Sequence, residues 1–393
     1  MKPPAPREHF VPLRKADLVE LLLGRPGLSS AEREALRRLF RLIEATFHFE
    51  FHARLEALKA LYASFDPDSD TAEREPLTTD DADRVEDFFR QLDELLARGN
   101  YRRLSRDDVT ASLRVMGEWG LRVDLDFDVF ERLEVYARGD RTLVRRRRRW
   151  RNGFRTSETE LGVFRRLVVA FRLRPHKRLG QEADAHTVFL KMFKDIPHHD
   201  LEMLLPGSRV RMSYVDQAKV ALPTLSGLGM TGWKVLQGAL TVAATGRAGL
   251  LAFLGLVGGT VGYGGKSLFG YMRTKEKYQL TLTRSLYYRN LDNNAGVLFR
   301  LLDEAEEQEC REAMLGYFEL LQAGEGRTAR EIDAAAEQLL REAARLEVDF
   351  EIHDALQKLV RLGIVRHEGE KYQAVAPDAA VRAMDRSWDA FFG

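Results

Sequence analysis

Five clusters of residues in this chain have the types and spacing that chemistry asks for. The first is the acidic run Asp303, Glu304, Glu306, Glu307 and Glu309. On a helix, Glu304, Glu307 and Arg311 share a face, and two carboxylates one turn apart can hold a metal. A di-iron bundle asks for Glu-x-x-His pairs, which the run lacks, so a solvated or ion-paired helix face is the favoured reading. Asp303, Glu304, Glu306 and Glu307 stand as possible functional acids. Second, His198-His199 beside Asp200 can supply acid–base groups, with helix capping by Asp200 as the simpler use. Third, His48 and His52 are spaced i, i+4 like a two-histidine metal face, but Phe49 stands where the zinc-protease pattern has glutamate. Fourth, Thr260 to Ser267 nearly spells a phosphate-cradling loop, yet Thr260 replaces its first glycine and no apolar strand ending in aspartate follows. Cys310, the fifth, sits among acids, which oppose thiolate formation. These patterns predict neither a metal site nor a cofactor.

Two further stretches point to binding. Arg145, Arg146, Arg147, Arg148, Arg149, Trp150 and Arg151 form the strongest charge signal. Beside a membrane their target is anionic lipid, where each arginine contributes about 1 kcal/mol and a tryptophan prefers the interface. The alternatives are a strand edge guarded by charge, and nucleic acid. The other stretch is the apolar block Val235–Gly265. Its second half, Ala248–Gly265, has eighteen residues without a charge, roughly 27 Å as a helix. Val235–Gly246 precedes it, and Arg247 lies at the fold between them. A helical hairpin turning at Arg247 would gather Lys234, Lys266, Arg273, Lys275 and Lys277 at one interface, the pattern of cytoplasmic flanks. Gly255 with Gly259 and Gly258 with Gly262 form a glycine zipper that permits close helix packing, within one molecule or between copies. A shallow insertion and a buried soluble hairpin are the competing readings.

The elements that must position these residues follow from periodicity. Residues Leu13 to Trp119 repeat at helical spacing, with capping boxes at Ser29/Glu32 and, more weakly, Ser105/Asp108. Alternating runs at Val123–Phe127, Leu133–Tyr136, Leu167–Leu173 and Val188–Phe193 predict an antiparallel sheet over Leu121–Ile196, with a turn at Gly139-Asp140 and a stop at Pro197. Ser267 to about Leu321 reads as helix, broken by Gly324-Glu325-Gly326. Beyond it come a helix opened by Thr328/Glu331, a helix Asp349–Leu362 ended by Gly363, and a hairpin turning at Glu368-Gly369. That order predicts a winged-helix-like unit.

The expected class is therefore α+β: a helical region 1–120, a β-rich region 121–220, an apolar membrane hairpin 221–270, a helical connector 271–325 and a winged-helix-like domain 326–393. Lys plus Arg (61) nearly balance Asp plus Glu (60), so only local charge can indicate partners. Between Arg141 and Pro175 twelve arginines face two acids, whereas Gly326–Gly393 holds ten basic and thirteen acidic side chains. The acidic balance of the expected recognition helix argues for a protein partner and against nucleic acid. A single cysteine suits a reducing compartment, and MKPPAPREHF has no apolar segment of a secretory signal.

Several segments resemble the family of proteins related to transmembrane protein 143, a domain of unknown function. They are His9-Phe10-Val11-Pro12-Leu13-Arg14, Phe193-Lys194-Asp195-Ile196-Pro197 with Asp200–Pro206, Tyr287-Tyr288 with Asn290–Asn294, and Asp303–Glu309. The resemblance implies a membrane-associated protein with a pair of hydrophobic segments and no assigned activity. The expectation is a membrane-anchored, non-enzymatic adaptor whose soluble parts lie on the cytoplasmic side. An oligomerising membrane-perturbing effector and a membrane-associated enzyme using His198, His199, Asp200 and the 303–309 acids are the alternatives.

Overall fold

The computed structural model describes residues 9–69, 81–114, 122–148, 156–176, 186–206, 208–211 and 287–391. In chain order its elements are α1 (Lys15–Leu23), α2 (Ser30–Tyr62), α3 (Asp81–Arg98), β1 (Arg102–Arg103), α4 (Arg106–Arg114), β2 (Arg122–Leu125), β3 (Phe130–Arg148), β4 (Thr156–Leu173), β5 (Val188–Pro197), β6 (Ser208–Arg211) and β7 (Asn290–Asn293). There follow α5 (Ala295–Ala323), α6 (Ala329–Ala344), α7 (His353–Arg361), β8 (Val365–Glu368), β9 (Lys371–Ala374) and α8 (Pro377–Phe391). The described residues fall into two compact units. One draws on 1–105, 128–198 and 291–393, the other on 106–127 and 199–290.

The first unit is built on two long helices. On α2 the buried side chains Leu36, Leu39, Phe40, Ile43, Phe47, Phe51, Leu55, Leu58 and Tyr62 recur every three or four residues, so one stripe faces inward. Each such burial stabilises by about 1.5–3 kcal/mol. The helix opens on the expected capping box: the Glu32 N–H donates to Ser29 Oγ at 3.2 Å, and the Ser29 N–H donates to Glu32 Oε2 at 2.8 Å. α5 is buried almost all round from Ala305 to Leu320 and touches α1, α2, α3, α6, α7, β5 and β9. It ends at Gly324, whose φ of 68° is the left-handed stop a glycine supplies.

The five-stranded sheet runs β1-β3-β4-β5-β7, with the β1–β3, β3–β4 and β4–β5 pairs antiparallel. Here the structure corrects three expectations. Gly139-Asp140 is not a turn: β3 passes through Gly139 at φ 71° and stays in register with β4 on both sides. A Gly-Asp pair signals reversal only where a strand has nothing left to pair with, and β4 continues opposite. The alternating run at Val123–Leu125 does not join this sheet; in the second unit it pairs with β6. Asn290–Asn293 is a strand rather than part of a helix. The strand gives way to α5 at Asn294 (φ 47°), whose N–H donates to the Leu190 carbonyl at 2.8 Å and whose Oδ1 accepts from the Leu190 N–H at 3.2 Å.

The C-terminal elements belong to the first unit. α6 opens on the Thr328/Glu331 box, Gly363 (φ 70°) follows α7, and β8–β9 turn at Gly369 (φ 61°). α7 begins at His353, four residues after the expected start. The Phe350 and Ile352 N–H groups donate to Glu337 and Asp333 of α6 at 3.4 and 3.0 Å, which ties the link to α6 ahead of the helix. α8 packs on α2, with Trp388 edge-on to Phe49 at 6.0 Å. Among the described residues no helix is long and apolar enough to cross a membrane. The apolar block 235–265, with Gly255, Gly258, Gly259 and Gly262, and the phosphate-loop near-match 260–267 lie outside the described residues.

Candidate functional site

α5 carries the acidic run into the interior of the first unit, where its side chains reach different neighbours. Glu304 meets the sheet. Its Oε1 accepts from Arg166 Nε at 3.0 Å, and its Oε2 accepts from the Tyr101 hydroxyl at 2.7 Å and from Arg138 Nη2. Arg138 and Arg166 are cross-strand partners, and like charges directly opposite repel, so the carboxylate between them relieves the pair. Arg138 also donates to the Gly99 carbonyl at 3.0 Å and lies over the rings of Phe10 and Tyr101 at 4.9 and 4.6 Å. Burial alone would raise the Glu304 carboxyl, but Arg138, Arg166 and the Tyr101 hydroxyl hold it below the ordinary carboxylate range. A carboxyl in that state is a fixed counter-ion and a poor proton donor.

The rest of the run ties α5 to other elements. Glu306 Oε2 lies 3.0 Å from His48 Nδ1 on α2. Glu307 pairs with Arg311, and Arg311 Nη1 donates to the Val11 carbonyl at 2.7 Å. The Val11 N–H donates to Gln308 Oε1 at 3.2 Å, so both polar groups of that residue's backbone are held by α5. Glu309 receives Arg98 of α3 at 3.3 Å and Lys358 of α7, whose Nζ lies over Phe47 at 4.8 Å. Glu312 Oε1 accepts from Gln308 Nε2 at 2.6 Å and Asn100 Nδ2 at 3.0 Å, and burial pushes its carboxyl up to about 7. Asp303 sits at the exposed edge, where partial desolvation and then Glu307 and Glu304 raise its carboxyl. Cys310 is buried, and burial pushes its thiol up to about 12.

A cleft of about 350 Å³ lies beside this hub, lined by His9, Asn100, Tyr101, Arg102, Asp140 and Phe164 among others. That volume is at the low end for a small-molecule pocket. Asp140 Oδ1 lies 3.1 Å from Nε2 of His198, and the His198 ring packs on Phe164 at 4.1 Å. The hydrogen bond from His198 holds the Asp140 carboxyl below its ordinary value. Gly162 leaves the room for this ring, since a Cβ there would sit 2.8 Å from it. A second cleft of about 360 Å³ is lined by Arg98, Glu309, Asp354, Gln357, Lys358 and Arg361.

The predicted residues are thus partly gathered and partly dispersed. His198 meets Asp140, while Asp200 belongs to the second unit, 3.9 Å from Arg289. His48 and His52 stack with ring centroids 6.5 Å apart, and His48 also meets Glu306. Among the described residues no group of three or more His, Cys, Asp or Glu could hold a metal. Arg145, Arg146, Arg147 and Arg148 lie on β3 opposite Thr159, Glu158, Ser157 and Thr156 of β4. Arg149, Trp150 and Arg151 fall outside the described residues. Sequence reasoning missed Arg138, Arg166, Tyr101, Asn100, Gln308, Glu312 and Asp140. Their one local signal is the arginine that interrupts each apolar strand, Arg138 after Ala137 and Arg166 before Leu167.

Together these features define an α+β body organised by a buried ionic helix. Residues 164–296 match a family described as "Protein of unknown function (DUF3754)". The match runs from β4 through β5 and the apolar block to the first residues of α5, so the chain contains a domain of unknown function. No solved structure matches the chain.

Proposed function

We propose that the protein is a membrane-anchored, non-enzymatic adaptor of the transmembrane protein 143-like kind. In this reading the glycine-notched block 235–265 is the anchor, the helical body is a rigid platform on the cytoplasmic side, and the winged-helix-like segment binds a protein. The observation that carries the platform role is the fate of the acidic run. Glu304, Glu306 and Glu309 between them pair with β3, β4, α2, α3 and α7 of one compact unit, so the run acts as an internal brace. The matched domain spans the apolar block together with β4 and β5, which supports reading anchor and platform as parts of one device. The order α6, α7, β8, β9 supports the winged-helix reading. The cations Lys358 and Arg361 of α7 pair with Glu309 and Glu50, and Asp349, Glu351 and Asp354 of the same segment favour a protein partner over nucleic acid. Alkaline carbonate extraction of the full chain tests the anchor: retention in the pellet is expected, and quantitative release would remove the integral-membrane reading. Liposome leakage on addition of the chain would instead favour a membrane-perturbing oligomer packed through Gly255, Gly258, Gly259 and Gly262.

A second reading, an enzyme at the membrane, is favoured by one observation: the Asp140–His198 pair at the 350 Å³ cleft is an oriented imidazole next to a cavity. His198→Ala with normal folding and an unchanged cellular phenotype would count against it.

A further inference from the structure

The arginine run does not lie on a flat sheet edge. β5 pairs with β4 only as far as Val163↔Pro197, and β1 pairs with β3 only at Tyr136 and Ala137. β3 and β4 nevertheless stay paired to Arg148↔Thr156. Among the described residues no strand flanks 142–148 or 156–162 on either side, so this stretch is a two-stranded ribbon, about 20 Å of strand beyond the five-stranded sheet.

The register separates its charges. Successive residues of a strand alternate between faces, and cross-strand partners share one. One face therefore collects Arg141, Leu143, Arg145 and Arg147 with their partners Val163, Leu161, Thr159 and Ser157. It holds three arginines and no acid. The other collects Thr142, Val144, Arg146 and Arg148 with Gly162, Glu160, Glu158 and Thr156. There two arginines are matched by two glutamates, with Arg146 directly opposite Glu158. A run of arginines that looks uniform in sequence is basic on one face and neutral on the other.

We infer that the ribbon is a docking arm whose Arg141/Arg145/Arg147 face lies on an anionic lipid bilayer, with the Arg146/Arg148 face turned from it. A one-sided basic surface of this length complements a planar sheet of phosphate headgroups, and counter-charge on that face would weaken the attraction. The inference rests on the membrane reading above for its partner. It goes further in naming which arginines touch lipid.

The test removes equal charge from each face of the full-length chain, as Arg145→Gln/Arg147→Gln and as Arg146→Gln/Arg148→Gln. Flotation with phosphatidylserine-containing vesicles is compared with flotation on pure phosphatidylcholine, and the ratio of the two is the readout. At the usual gain per arginine near an anionic leaflet, the first variant should lose about tenfold or more of the wild-type preference and the second no more than about twofold. Equal losses in the two variants would overturn the assignment of a face. A wild-type chain that floats on both lipids without preference would overturn the arm while leaving the apolar anchor standing. A chain that floats on neither would remove the membrane reading and the arm with it. Retention of duplex DNA that depends on Arg145 and Arg147, with vesicle preference unaffected by them, would transfer the face to nucleic acid and overturn the lipid assignment.

Discussion

The chain contains two runs of like charge, and the fold treats them in opposite ways. Most of Asp303–Glu309 is carried inside on α5, and Glu304, Glu306 and Glu309 meet cations or an imidazole from β3, β4, α2, α3 and α7. Arg145–Arg148 lies on a ribbon past the end of the sheet, where the only described neighbour is the paired strand. Density of charge therefore does not tell a brace from a binding surface. The difference lies in what the rest of the chain brings opposite. An acidic helix with apolar residues at Leu301, Leu302, Ala305, Cys310 and Ala313 has a reason to be buried, and its acids must then find partners. The arginine ribbon has fewer apolar residues to draw it in.

The comparison breaks most readily at Glu304. Glu304→Ala leaves Arg138 buried and opposite Arg166 with nothing between them, so a loss of about 3–5 kcal/mol is expected in urea unfolding. Removing the two most buried charges together, as Glu304→Leu with Arg138→Met, should recover part of that loss, because it avoids the uncompensated buried ion and leaves Arg166, whose side chain is 30% exposed, to solvent. A loss under about 1 kcal/mol for the single variant would mean that the interior brace is no stronger than a surface pair.

Glu312 gives the next largest effect and a pH signature. Burial raises its folded value to about 7 from an ordinary 4.5. The folded state then holds the proton more tightly than the unfolded chain. The stability this gives is fully present below about pH 4.5 and is lost as pH rises through 7. Glu312→Gln keeps an acceptor for Gln308 and Asn100 and cannot ionise. Relative to wild type it should be near neutral at pH 4.5 and more stable by roughly 3 kcal/mol at pH 8. Parallel stability curves for the two proteins between those limits would show that the group titrates normally.

At the base of the ribbon a smaller cost is expected. Gly162→Val drives a side chain into the His198 ring, which is already packed on Phe164 and hydrogen-bonded to Asp140. Overpacking of this kind costs about 1–3 kcal/mol. The ring proton resonances of His198 should also move in NMR spectra, which separates displacement of the ring from a general loss of strand pairing.

How far the sequence foretold this architecture depends on the range of each signal. Local signals were readable. The Ser29/Glu32 and Thr328/Glu331 boxes, the glycines at 324, 363 and 369, and the proline closing β5 all act within four residues, and each stands where the pattern predicts. The partners of the acids were not. Arg166 is 138 positions from Glu304 and His48 is 258 positions from Glu306, so no spacing rule connects them. The turn misread at Gly139 and the helix misread through Asn290–Asn293 share one cause. In each case the backbone is fixed by pairing with a distant strand, which overrides the local preference. The neutral face of the ribbon was hidden for the same reason, because Glu158 and Glu160 fall opposite the arginine strand only once the register is known.

The ribbon should give the smallest effect on stability and thereby sharpen the contrast. Converting Arg145 and Arg147 to glutamine removes two charges from a face without acids, on a ribbon with no described flanking strand. Substitutions of that kind usually change stability by no more than about 0.5 kcal/mol, and relief of repulsion between like charges on one face should make the sign stabilising. Arg146→Gln breaks the cross-strand match with Glu158 and should be neutral to slightly destabilising, by a few tenths of a kcal/mol. Paired thermal melts at low salt would resolve the two signs, and added salt should shrink both. A loss of 2 kcal/mol or so for Arg145→Gln/Arg147→Gln would place these arginines in the same class as Arg138, braces held by the fold and no longer a surface held out for a partner.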